Sequence, residues 1–133
     1  MKAGVLVLGM AIAVVASAGR PYAHHSFAAT YLEDKTEKIE GELVQFLFRN
    51  PHSFVQVMAP DEKGEMQRWA IEWGAGGRLG NQGVTRETLK PGDHVIIVGN
   101  PGRNPDDHRL RMVRLKRTSD GWTWGGRPGD TFD

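Results

Sequence analysis

Between Lys38 and Phe48 the apolar side chains alternate along the chain, and midway the alternation changes face. Ile39 and Leu43 hold one phase, with Glu40 and Glu42 opposite, and Val44, Phe46 and Phe48 hold the other. Side chains in a strand repeat every two residues, so a phase switch within one run needs a bulge or sharp coil, here near Val44-Gln45. A long strand bent in this way serves two sheets, which points to a small barrel. Asn50-Pro51-His52 follows and has the chemistry of a turn.

The remaining pattern fits the same architecture. Strands are predicted over Phe54–Ala59, Gln67–Trp73, His94–Gly99 and His108–Arg117. In the third strand Trp69, Ile71 and Trp73 share one face, with Arg68, Ala70 and Glu72 on the other. In the fourth, Val95 to Val98 is an unbroken apolar run, as expected of a strand covered on both sides. Pro60–Gly64 reads as a hairpin connection, Lys90-Pro91-Gly92-Asp93 as a type II turn, and Pro101–Asp107 as a loop. The five glycines between Gly74 and Gly83 predict a loop, and Thr85–Leu89 a short helical turn capped by Thr85. Trp122-Thr123-Trp124 predicts a short edge strand or a cover for an open end. Five strands with one short helical turn between the third and fourth is the order of a mostly β, OB-like Greek-key barrel. A small β-sandwich is the alternative that short strands leave open.

Composition sets the outer limits. With 39% hydrophobic and 25% charged residues, 17 Gly and 7 Pro, the body is too apolar for disorder and too turn-rich for a helix bundle. Lys2 followed by sixteen uncharged residues, Ala3 to Ala18, reads as a secretory signal peptide over residues 1–23, too short to span a bilayer as a helix. Cleavage is expected after Ala18 or after Ala23, leaving a single domain, 24–133, with an N-terminal arm and a Gly/Trp-rich tail. The expected compartment is the periplasm. The absence of cysteine excludes thiol chemistry and a cysteine-borne lipid anchor. Loss of Lys2 and Arg20 with the leader turns the formal charge of +1 into −1, so no net basic field is available to attract a polyanion.

Five histidines carry most of the chemical potential, because imidazole is the commonest metal ligand. A cut after Ala23 would give His24 both an α-amino and an imidazole nitrogen. With His25 and His52 this is a nitrogen-rich set suited to Cu(II). Metal would have to displace the proton of that amine, so binding is expected to weaken as the pH falls below about 7. The plain alternative is a polar arm and an ordinary turn. His94 and His108 each open a strand and are read as half-exposed strand-end residues.

Glu72 is the candidate general base, but it has no second carboxylate at a fixed spacing, and Ser26, Ser53 and Ser119 lie in no nucleophile-elbow context. Gly74-Ala75-Gly76-Gly77-Arg78 lacks the lysine-bearing phosphate-loop pattern. Arg109, Arg111 and Arg114 on the fifth strand, with Trp69, Glu72 and Trp73 on the third, form the candidate ligand face for an anion, an oligosaccharide or a nucleic acid. The plain reading of those arginines is a solvated face paired with Glu40, Glu42 or Glu72 across the sheet.

His24-His25-Ser26-Phe27-Ala28, Asn50-Pro51-His52, the Trp69-to-Glu72 strand and Leu89-Lys90-Pro91-Gly92-Asp93 together resemble a family of short exported bacterial proteins known only as a domain of unknown function. The resemblance covers nearly the whole mature chain. It implies a periplasmic, OB-like single domain and carries no catalytic residues with it. The function expected is a non-enzymatic binding or accessory module, with a copper site at His24, His25 and His52. A small enzyme using Glu72 and an anion-binding face on the fifth strand are the alternatives. Any partner is expected to be a periplasmic or membrane-bound protein, with no nucleic acid and no transmembrane segment in the mature chain.

Overall fold

A computed structural model describes residues 27–133. Its elements are α1 (Phe27–Thr30), β1 (Glu37–Leu47), β2 (Phe54–Pro60), β3 (Met66–Glu72), α2 (Gly76–Asn81), β4 (His94–Pro101), a 3-10 turn (Pro105–Asp107), β5 (Arg109–Arg117) and β6 (Thr123–Gly125). Neighbouring strands run β3-β2-β1-β4-β5, and a parallel pairing of β3 with β5 closes the ring into a five-stranded barrel. Among the described residues no helix is long and apolar enough to cross a membrane.

The strand with the switching pattern, β1, does what that pattern requires. Its first half pairs antiparallel with β4, from Glu37 against Gly99 to Glu42 against His94. Its second half pairs with β2, and the register slips between Leu43 and Gln45, so Val44 is the extra residue. Ile39 and Leu43 thus enter the core before the bulge, while Phe46 and Phe48 pack against it after the bulge. Where β1 changes partners the backbones almost touch: a Cβ on Gly41 would lie 1.9 Å from the carbonyl oxygen of Met58.

The core is filled by the inward residues of every barrel strand, including Val55, Val57, Ile71, Ile97, Leu110 and Leu115, all 0% exposed. Trp69 and Trp73 are buried in the same cluster, and Trp69 Nε1 donates to the Ala59 carbonyl at 3.1 Å. β4 is buried on both faces from Ile97 to Asn100, so the apolar run Val95–Val98 is doubly covered only in its second half, Ile96 being half-exposed. The type II turn is present: Gly92 has φ +92°, and Asp93 N–H donates to Lys90 O at 3.0 Å.

The helical element does lie between β3 and β4, but not where capping chemistry predicts it. Thr85–Leu89 is a turn, in which Thr88 Oγ1 accepts from Thr85 N–H at 2.8 Å. The helix is instead α2, inside the glycine-rich loop. Leu79 anchors it in the core at 1% exposure, and Gly76 lies where a Cβ would come within 3.2 Å of the Phe48 ring. Tertiary packing overrides the poor helix propensity of glycine here. β6 then pairs with β5, and Trp124 packs edge-on against Trp73 with ring centroids 4.9 Å apart.

Arg117 ties this end of β5 together. It holds Asp120 through two hydrogen bonds, Nε to Oδ1 at 3.1 Å and Nη2 to Oδ2 at 2.9 Å, and also reaches the Thr88 carbonyl. These bonds, with a further one from Trp122 N–H, pull the Asp120 carboxyl down to about 2. A depressed carboxyl stabilises the fold fully above its unfolded value of 3.8, and that contribution is lost as the pH falls towards about 2. Asp120→Asn should therefore flatten the acid limb of a stability-against-pH curve between those values, read by tryptophan fluorescence. An unchanged slope would show that the pair contributes nothing.

Candidate functional site

The parallel closure of β3 on β5 sets Ala70 beside Arg109 and Glu72 beside Arg111. Glu72, on the outer face, therefore meets one guanidinium from β5, that of Arg109, as the expectation of cross-sheet pairing required. Arg109 Nη2 lies 3.6 Å from Glu72 Oε2. Of the two other expected carboxylate partners, Glu40 pairs with His94 at 3.0 Å and Glu42 forms no ion pair among the described residues, while Arg111 turns to Glu33 at 2.7 Å.

Over this seam lies the N-terminal arm. Leu32 N–H donates to Pro101 O at 2.9 Å, Arg103 N–H to Thr30 O at 2.9 Å, and Tyr31 forms a bridge with Gly102. Tyr31 is 1% exposed, and its hydroxyl donates to Glu72 Oε2 at 2.5 Å while accepting from Arg109 Nη2 at 3.2 Å. Burial first, and then the Glu72 acceptor and its charge, raise the Tyr31 phenol far above its ordinary value, so at neutral pH it is a fixed donor.

His52 completes the cluster from the other side. Its turn, which includes a cis Asn50–Pro51 bond, is clamped by the buried Ser53. Ser53 Oγ accepts from Arg49 N–H and donates to Arg49 O, each at 3.1 Å. This hydroxyl is fully occupied by structural bonds, in line with the absence of a nucleophile context. The clamp presents the His52 ring to Glu72, with Nδ1 3.2 Å from Oε1. That approach is out of line for a hydrogen bond, and Nδ1 is buried with no other partner among the described residues. The side chain as a whole is 40% exposed, so the accessible part of the ring lies away from Nδ1. Against the ring stands Phe27, the first described residue, edge-on with centroids 5.7 Å apart.

Beside this cluster is a cavity of about 370 Å³ lined by His52, Glu72, Trp73, Arg78, Arg111 and Trp124, among others. The residues singled out in the sequence thus separate. Glu72, Trp73 and Arg111 share this cavity with His52. Trp69 lies in the core, with its ring against His108 at 5.2 Å. Arg114 is held near the chain end, donating to Thr131 O at 2.9 Å. His24 and His25 lie outside the described residues. Among the described residues no group of three or more His, Asp or Glu is placed to hold a metal. His94 and His108 are the strand-end residues expected, although His108 precedes β5 rather than opening it and has a left-handed φ of 45°.

Sequence reasoning missed Tyr31. It stood in an arm with no regular pattern, and the only signal was an aromatic residue a few positions after the histidine pair.

No curated protein matches the chain. Among solved structures it is similar to the mitochondrial single-stranded DNA-binding protein of S. cerevisiae, at 13% identity and a TM-score of 0.46, over 63% of this chain and 93% of that one. A model of a family of unknown function matches residues 11–111.

Proposed function

This chain belongs to that family, DUF6152, so its role has to come from its own geometry, and we propose that it is a non-enzymatic periplasmic binding module that holds Cu(II) through His52, His24 and His25. The observation that carries this reading is the contact of Phe27 with the His52 ring. Phe27 follows His25 by two residues, a separation of at most about 7 Å along the chain, so its contact with the ring supports a site shared with the Asn50–His52 turn. A metal-ligating histidine is normally oriented by a carboxylate at its other ring nitrogen. Glu72, 3.2 Å from Nδ1, is placed for that role after a small ring rotation, leaving Nε2 for the ion.

The same geometry argues against an enzyme built on Glu72. Its carboxylate already accepts the Tyr31 hydroxyl and stands beside Arg109, so it is engaged in holding the arm on the seam. Nor does it favour an anion face on the fifth strand, because Arg109, Arg111 and Arg114 all have partners within the chain.

Intact mass of the exported protein fixes its first residue, and Cu(II) titration of that protein tests the ligand set. His52→Ala should weaken binding by more than about tenfold, since even the groups that orient a ligating histidine are worth about 10–100-fold. Equal affinity in the two proteins, with unchanged circular dichroism, would remove His52 from the site.

A further inference from the structure

A second set of metal donors, sharing no residue with the His52 cluster, lies on the outer face where β1 passes from β4 to β2. Glu42 stands directly opposite His94 of β4 on one side and Met58 of β2 on the other. Directly paired residues share a sheet face, so His94, Glu42 and Met58 form one outward row. Met58 is paired on its far side with Arg68, which makes Met66, two residues away on β3, its diagonal neighbour on the same face. Paired side chains lie about 4.5–5.5 Å apart at Cβ and diagonal ones at most about 7–8 Å. An ion over Glu42 is therefore one paired step from His94 and one from Met58, with Met66 a diagonal step beyond. Methionine is unbranched and turns about three bonds, so its sulfur can reach across such gaps. His94, Glu42, Met58 and Met66 all line one cavity of about 450 Å³, together with Glu40.

The donors at this cavity suit a soft cation. The sequence has five methionines, of which Met1 and Met10 lie in the predicted leader; of the other three, two meet here and Met112 is buried in the core. Met66 is 60% exposed, so an arriving ion has access to it. His94 Nε2 lies 3.0 Å from Glu40 Oε1. An ionised carboxylate only accepts, so in the neutral ring Nε2 carries the proton and Nδ1 keeps the lone pair. With both side chains 51% exposed the pair adds little stability, yet a carboxylate at the far ring nitrogen is how a ligating imidazole is oriented. Charge agrees: among the described residues no lysine or arginine lines the cavity, and Arg68 is drawn aside to Gln56 at 2.6 Å. The histidine and carboxylates do not by themselves gather into a metal site, so the sulfurs decide the chemistry. Thioethers are soft ligands that select Cu(I), and imidazole also suits copper. We propose that Met58, Met66 and His94 hold one Cu(I) ion on this face, with Glu40 orienting the imidazole and Glu42 supplying negative charge beside it.

The test is anaerobic Cu(I) titration of the full exported protein in ascorbate, with bathocuproine disulfonate as the competing chelator. Wild type and His52→Ala are titrated side by side, so that the Cu(II) reading and this one fail separately. The His52→Ala protein should still take up Cu(I). In that background Met58→Leu, Met66→Leu and His94→Gln should each weaken Cu(I) binding by at least about tenfold, since a ligand is worth no less than the groups that orient one. Met66→Leu is at an exposed position and should leave Cu(II) binding by wild type unchanged. Cu(I) is diamagnetic, so in protein with isotope-labelled methionine methyl groups it should shift the NMR signals of Met58 and Met66 and leave that of Met112 in place. No Cu(I) uptake by His52→Ala, unmoved signals of Met58 and Met66, or an unchanged affinity in Met66→Leu would each overturn the proposal.

Discussion

Gly41→Ala is expected to cost about 3 kcal/mol of stability or more, at or beyond the top of the usual range for overpacking a core. The added methyl would lie 1.9 Å from the Met58 carbonyl oxygen and 2.9 Å from its carbon. Both are backbone atoms of β2, so no side-chain rotation relieves the clash. The strands must move apart where β1 passes from β4 to β2, and that movement strains both ladders at once. For a domain of this size the loss corresponds to a fall in Tm of more than about 10 °C, readable by circular dichroism. Gly77→Ala is the control. Its added methyl meets nothing within 4 Å, and the position is helical, so the change should be neutral or stabilise by up to about 1 kcal/mol. Equal, small effects of the two substitutions would mean that the close approach at Gly41 is not a feature of the fold in solution.

Tyr31→Ala should have the second large effect, about 3–5 kcal/mol, the range for truncating a buried aromatic residue. Here the loss has two parts. Tyr31 is the aromatic anchor that seats the arm on the seam of β3 and β5, and its hydroxyl is the donor closest to the Glu72 carboxylate. Tyr31→Phe separates them by keeping the ring and removing the bond, for an expected cost of about 1–3 kcal/mol, since the acceptor is charged. Urea unfolding measures both variants. Limited proteolysis should find new cleavage before β1 in Tyr31→Ala but not in Tyr31→Phe. An alanine variant within about 1 kcal/mol of wild type, with the arm still protected, would show that the arm is held by its other contacts, the backbone bonds to Pro101 and Arg103 and the Arg111–Glu33 pair among them.

Most of the barrel was legible in the sequence because its signals are local. The bulge at Val44 shows in the phase of six neighbouring side chains, and the turn at Gly92 in a Pro-Gly pair between apolar runs. The order of five strands followed from those punctuation marks. α2 escaped for the opposite reason. Glycines make a poor isolated helix, and what stabilises this one is the burial of Leu79 and the fit of Gly76 against Phe48, contacts made with distant parts of the chain.

The candidate site divides in the same way. By itself the sequence determined the strands, the bulge and the residue types capable of chemistry, since side-chain alternation and turn preference depend only on near neighbours. Which of those residues meet was decided by the tertiary structure alone. His52, Glu72, Tyr31 and Arg109 come from four separate segments and converge because β3 closes on β5 and the arm lies across that closure. Convergence of that kind depends on long-range strand pairing, and no local pattern of residues encodes it.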